Sequence, residues 1–152
     1  MRILLTVILL FTGLIFCRAQ NSNPNYDSTL AKELGADAYG MKSYVMVILR
    51  SGTNTTEPKA SRDSLFAGHL QNIGRLVEMK KMIVAGPFGK NGDDMRGIFI
   101  LDVKTLEEAA SLMDTDPAIK AKLLRPEMYT WYGSAALPVY LKAADMIWKI
   151  NP

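Results

Sequence analysis

The sequence predicts an α+β domain built on one four-stranded antiparallel sheet, with its elements in the order β-α-β-β-α-β. Three observations predict it. Four runs rich in β-branched and aromatic residues are separated by stretches of helical period. Each helical stretch connects two strands, and the middle two strands are joined through Asn91-Gly92, a hairpin-turn pair. The first and third runs are apolar at nearly every position, so both faces of the sheet need cover.

The first residues stand outside that domain. Met1-Arg2 is a short positive start, and Ile3 to Phe16 (ILLTVILLFTGLIF) is an uncharged apolar run of 14 residues. Cys17-Arg18-Ala19 places small residues at the −3 and −1 positions before Gln20. That layout predicts a signal peptide over residues 1–19 and an exported protein, periplasmic or secreted; the run is short for a membrane span, so no stable insertion is expected after cleavage. A lipid anchor on Cys17 fits less well, because Phe16 is bulky for that signal. Removing 19 residues, Arg2 and Arg18 among them, from a chain of 152 with charge +3 leaves 133 residues at +1. A nearly neutral domain argues against a nucleic-acid partner, which needs clustered Lys and Arg. The cleaved segment also carries the single cysteine, so no disulfide framework, thiolate nucleophile or zinc–thiolate site is expected.

Residues 20–42 are rich in Asn, Asp, Gly and Ser and read as an arm, with a short helical stretch at Ser28 to Leu34. The domain proper is expected over residues 43–134. Tyr44 to Leu49 (YVMVIL) is the first strand, and Ser51 to Lys59 a loop with a formal glycosylation sequon at Asn54. The first long helix is expected from Arg62 to Lys81, capped by Ser61, with Asp63 in its first turn. Ile83 to Phe88 and Gly97 to Val103 are the second and third strands, with Pro87 marking an edge or kink. Thr105-Leu106-Glu107-Glu108 is a capping box opening the next helix, to about Met113. Asp116-Pro117 restarts a helical turn, Glu127 to Gly133 is the fourth strand, and the tail, residues 135–152, carries a last helix over Leu137 to Ile150.

With right-handed crossovers this order gives the ferredoxin-like arrangement, with both helices on one face. The runs Val45 to Leu49 and Ile98 to Leu101 do not alternate, and leaving their second face wet forfeits roughly 1.5–3 kcal/mol per large side chain. A second copy of the same sheet is the simplest cover, giving a homodimer closed as a dimeric α/β barrel. The alternative is that the arm or the tail covers that face in cis.

His69 is the only histidine. At 100° per residue, Leu65, Phe66, Leu70, Ile73, Leu76 and Val77 fall within one arc of roughly 140°, and His69 falls inside it. A lone histidine on an apolar face reads first as a core residue bonded to a carbonyl. A general-base reading needs a carboxylate within ~4–6 Å. Asp116 is the candidate and Asp114 the next choice, yet Asp before Pro is also what a helix N-cap looks like. Spacing alone brings neither to His69.

The run His69-Leu70, Gly74-Arg75-Leu76, Ala85-Gly86-Pro87-Phe88 and Thr115-Asp116-Pro117, followed by Tyr129 and Trp131-Tyr132, resembles the YciI-like (YCII-related) family over about residues 43–134. The resemblance implies a dimeric ferredoxin-like barrel with a His–Asp pair in a cleft at the base of the first helix, mapping to His69 and Asp116. It also implies that the Ala85-Gly86-Pro87 turn lies beside the pair, offering Gly86 and Pro87 to a ligand. The segment Gly35 to Val45 and the long tail lie outside the usual core and mark an exported branch.

Trp131, Tyr129 and Tyr132 suit an aromatic ligand pocket or strand packing about equally, and Arg96 suits an anionic substrate or a solvated strand end. Asn91, Asp93 and Asp94 offer oxygens to Ca²⁺, though a polar hairpin tip accounts for them. One His and no mature Cys leave no ordinary transition-metal site, and no cofactor is expected, a single axial ligand to haem being the exception. Together these readings predict small-molecule acid/base chemistry by His69 and Asp116, of isomerase or lyase type on a cyclic or aromatic compound. The alternatives are a non-catalytic ligand-binding or accessory protein, or an envelope interaction protein working through its arm and tail.

Overall fold

In the computed structural model, residues 23–150 are described; the proposed signal peptide lies outside them. Of these, residues 23–30 belong to one compact unit and 31–150 to a second. Asp27 Oδ1 accepts from the amides of Thr29 and Leu30, opening helix α1 (Ser28–Leu34).

The second unit holds β1 (Met41–Ser51), α2 (Lys59–Glu78), β2 (Met82–Pro87), β3 (Met95–Leu101), α3 (Leu106–Met113), α4 (Pro117–Lys120) and β4 (Leu124–Ser134). A 3₁₀ turn (Leu137–Tyr140) and α5 (Leu141–Ile147) follow. The strands form one antiparallel sheet in the order β2-β3-β1-β4, the ferredoxin-like order. The central strand β1 pairs Val45 with Leu101 and Val47 with Phe99 on one side, and Val45 with Thr130 and Val47 with Met128 on the other. Because partners in register share a face, these odd-numbered residues of β1 and β3 point together toward the helices. There they bury Leu76 of α2, Ala109 and Met113 of α3 and Ala118 of α4.

The even-numbered residues form the outer face. Tyr44, Ile83 and Ile100 are buried there, with Met46, Val84, Ile98, Trp131 and Leu137 packed against them. The Trp131 ring lies over Gly133, two residues along the same face, where a Cβ would stand 2.4 Å from it. Part of the cover comes from the chain's own tail. Leu137 packs on the cluster, and the Tyr140 hydroxyl donates to the Ile83 carbonyl, beside the register shift between Met82 and Val84. Cover in cis by the tail thus accounts for one end of this face. Met46, Ile48, Val84 and Ile98 remain half-buried, and Tyr129 is 48% exposed.

Several element ends differ from the sequence reading, each for a local reason. Helix α2 begins at Lys59, three residues early: the Pro58 carbonyl already accepts from the Arg62 amide, and the Ser61 hydroxyl donates to Glu57 instead of capping. It ends at Glu78 because Lys80 takes a left-handed conformation (φ 56°) while Lys80 and Lys81 donate to Val77 and Leu76, a C-terminal motif usually signalled by glycine. Lys122 (φ 58°) closes α4 in the same way. β4 starts at Leu124 and runs through Pro126, which an edge strand tolerates because the missing N–H faces no neighbour. Phe66 (36% exposed) and Leu70 (56% exposed) are not core residues; α2 rests on a narrower stripe that takes in Asn72 instead. The side-chain amide of Asn54 is engaged within the chain, donating to Glu57 and to the Ala121 carbonyl. Asn91 organises the hairpin tip, accepting from Asp93 and Met95 and donating to the Gly89 and Met95 carbonyls.

Candidate functional site

The middle of α2 and the start of α4 meet on the helix side of the sheet. His69 is buried there, its side chain 11% exposed, and its Nδ1 lies 2.6 Å from Asp116 Oδ2. The Asp116 side chain is 1% exposed. Its other oxygen, Oδ1, accepts from the amides of Ala118 (2.9 Å) and Ile119 (3.3 Å), capping α4. The two sequence readings of Asp116, helix cap and histidine partner, are both met in geometry because a carboxylate has two oxygens to divide between them.

Burial, the largest single influence on Asp116, raises its pKa. The hydrogen bond and charge of His69, with the amides of Ile119 and Ala118, together outweigh it, so the carboxyl is held below the usual carboxylate range. Ionised near neutral pH, Asp116 can only accept, so Nδ1 must carry a proton and the neutral ring has its lone pair on Nε2. Nε2 has no partner among the described residues, and no side-chain nitrogen or oxygen of these is both sealed from solvent and unpartnered. Nε2 therefore reaches solvent. Around the ring stand Phe66, edge-on at 6.2 Å between centroids, and Phe99 at 6.0 Å. The site is thus an imidazole flanked by Phe66 and Phe99, with Nε2 in contact with solvent and Nδ1 anchored to a buried carboxylate.

The other residues singled out from sequence divide between the two faces. Ala85 pairs with Phe99 and Pro87 with Gly97, on the helix side of the sheet, whereas Gly86 pairs with Ile98 on the outer face. Tyr129 and Trp131 pair with Met46 and Tyr44 and lie on the outer face, where the Trp131 and Tyr44 rings are 5.7 Å apart. Arg96 shares that face by alternation with Ile98, its Nε donating to Ser51 Oγ at 2.6 Å. The structure does not bring these three to His69. A cleft of about 640 Å³ lies elsewhere, lined in part by Lys42, Lys81, Asp102 and Glu108, and neither His69 nor Asp116 borders it. Four of its charges form the pairs Lys42–Asp102 and Lys81–Glu108, each at 2.8 Å, and Asp37 and Lys104 also line it.

Sequence reasoning misses Asn72 and gives no role to Arg75 and Thr115, though both stand in the runs that carry the resemblance. Asn72 is buried one turn after His69, and its Oδ1 accepts from Arg75 Nη2 (2.7 Å) and contacts Thr115 Oγ1 (3.0 Å). A helical wheel ranks Asn72 as polar and leaves it out. The one signal in the chain is the Thr115-Asp116-Pro117 run itself, all three residues of which face α2.

No protein-family model and no curated protein matches this chain. Among solved structures it is similar to 5-chloro-2-hydroxyhydroquinone dehydrochlorinase from Burkholderia phenoliruptrix in complex with 2,5-dihydroxybenzoquinone, at 26% identity and a TM-score of 0.42. The match covers 57% of this chain and 92% of that one. No helix among the described residues is long and apolar enough to cross a membrane.

Proposed function

We propose that this chain is an exported YciI-like protein in which His69 acts as general acid/base on a small cyclic or aromatic carbonyl or hydroxyl compound, in isomerase or lyase chemistry. One observation carries the reading. The Nδ1 side of the only imidazole is tied to a buried carboxylate while Nε2 reaches solvent without a partner among the described residues. A core histidine has both nitrogens satisfied or sealed; this one presents a lone pair to whatever enters. The exposed Phe66 suits a flat apolar substrate, Phe99 backs the ring from the core, and Asp116 stabilises the imidazolium formed when a proton is taken up. Export rests on the layout of residues 1–19.

The test is hydrogen–deuterium exchange at carbon, followed by NMR across a panel of enolisable cyclic ketones and hydroxylated aromatics in D₂O. Exchange accelerated by the mature chain and lost in His69→Ala supports the reading. Equal rates with both proteins end the catalytic claim and leave a ligand-binding role.

We also propose that the functional unit is a homodimer with outer faces stacked. The half-buried Met46, Ile48, Val84 and Ile98 and the exposed Tyr129, left over after the tail has covered its end, support this. A stable monomer in sedimentation at micromolar concentration would refute it.

A further inference from the structure

Three successive residues, Thr115, Asp116 and Pro117, each meet α2. Thr115 Oγ1 lies 3.0 Å from Asn72 Oδ1, Asp116 Oδ2 lies 2.6 Å from His69 Nδ1, and Pro117 occupies the space where a Cβ on Gly68 would stand, 2.8 Å from its Cγ. The carboxylate is therefore held from both flanks. On one side Arg75 Nη2, with two hydrogens, donates to Asn72 Oδ1 (2.7 Å) and to Thr115 Oγ1 (2.8 Å), strapping the Thr115 segment to the helix. The Thr115 hydroxyl has one proton, and its nearest acceptor is the Leu112 carbonyl at 2.6 Å, so the arginine supplies the link to α2. On the other side the missing Cβ of Gly68 lets the proline ring close onto the helix.

We infer that Gly68 and the Arg75–Asn72–Thr115 strap are positioning residues for the His69–Asp116 couple, setting the approach of the carboxylate to Nδ1 and so the tautomer His69 presents. Neither touches the ring's reactive nitrogen. The inference deepens the acid/base reading and rests on it for its functional meaning, yet the geometry is measurable without a substrate.

Gly68 makes the argument specific. Glycine inside a helix costs roughly 1 kcal/mol relative to alanine. Gly74 lies in the same helix with nothing within 4 Å of its missing Cβ. Substituting either by alanine therefore brings the same gain in helix propensity, and only Gly68→Ala meets Pro117. A ring fused to the backbone yields by moving the Asp116-Pro117 segment, which lengthens a 2.6 Å contact.

The experiment uses ¹⁵N-histidine-labelled mature protein, in which the single histidine gives one ring spectrum. The parent and Gly74→Ala are expected to show one downfield Nδ1–H proton, with Nε2 unprotonated in the neutral ring. In Gly68→Ala and in Thr115→Val, which removes the strap's acceptor without adding volume, that proton should move upfield and exchange faster with water, toward the Asp116→Asn reference. This should happen while the melting temperature of Gly68→Ala stays within a few degrees of Gly74→Ala. A Gly68→Ala or Thr115→Val spectrum matching the parent overturns the inference. Should Gly68→Ala fail to fold, Thr115→Val alone decides it. Loss of the signal in these variants, with carbon exchange unaffected by His69→Ala, would uphold the positioning and discard the catalytic reading, so the two fail separately.

Discussion

On the helix side of the sheet, Val45, Val47, Leu49, Phe99 and Leu101 lie buried beneath α2, α3 and α4. On the outer side Tyr44, Ile83 and Ile100 are covered in part by the tail, while Met46, Ile48, Val84 and Ile98 stay half-buried. The helix face is sealed by local chain and admits a polar pair only because every polar atom of that pair is bonded or reaches water. The outer face carries a buried tyrosine at its covered end, whose hydroxyl donates to the Ser134 carbonyl at 2.8 Å and whose pKa burial, then the Asp102 charge, push up to about 12. The difference teaches where to look for partners. A sealed face can hold a fixed acid/base couple; a half-sealed one is shaped for assembly.

The contrast breaks first under truncation. Leu76 is fully buried between α2 and the sheet, so Leu76→Ala should cost about 2–5 kcal/mol, read as a fall in the urea midpoint. Ile98→Ala, on the half-covered face, should cost clearly less in the isolated chain. Equal losses would show that both faces are equally sealed.

Acid is the second probe, and its sign follows from Asp116. A carboxyl whose folded pKa is depressed contributes stability fully present above its unfolded value of about 3.9; that contribution is lost as pH falls through the lower folded value. Stability should therefore drop below about pH 4 in the parent, and thermal melts of Asp116→Asn should show a flatter profile there. Parallel profiles would mean that Asp116 gains nothing from its partners.

Much of the fold is legible in the sequence, and particular residues show why. The strand order follows from four apolar runs and two connecting helices, and Thr105 caps α3 as its capping box announces, accepting from the Glu108 amide. Helix ends are less legible because Lys80 and Lys122 adopt the left-handed conformation that composition assigns to glycine. The His69–Asp116 contact spans 47 residues, and no spacing rule encodes it; the family resemblance pointed to it. Asn72 is illegible for a related reason: its burial is tolerable only because Arg75 and Thr115 bond it, and Thr115 lies 43 residues away. Apolar pattern reports burial on one element at a time, whereas a satisfied polar residue depends on two.

The third probe tests the outer face as an interface. Ile98→Lys places a charge on the half-covered surface and should convert the proposed dimer to a monomer in sedimentation, while the His69 ring spectrum on the opposite face stays as in the parent. A dimer that survives Ile98→Lys would place the contact elsewhere.

The smallest expected effect belongs to the tail. The Tyr140 hydroxyl reaches the Ile83 carbonyl, beside the register shift that interrupts β2–β3 pairing. Tyr140→Phe removes that donor and keeps the ring, so it should cost about 0.5–1.5 kcal/mol at most, below the loss at Leu76. If the bond holds the tail onto the sheet, the substitution should speed amide exchange over the 3₁₀ turn and α5 while leaving β1 and β3 protected. Faster exchange throughout the sheet would instead make the tail part of the cooperative core, and the outer face would then be as closed as the inner one.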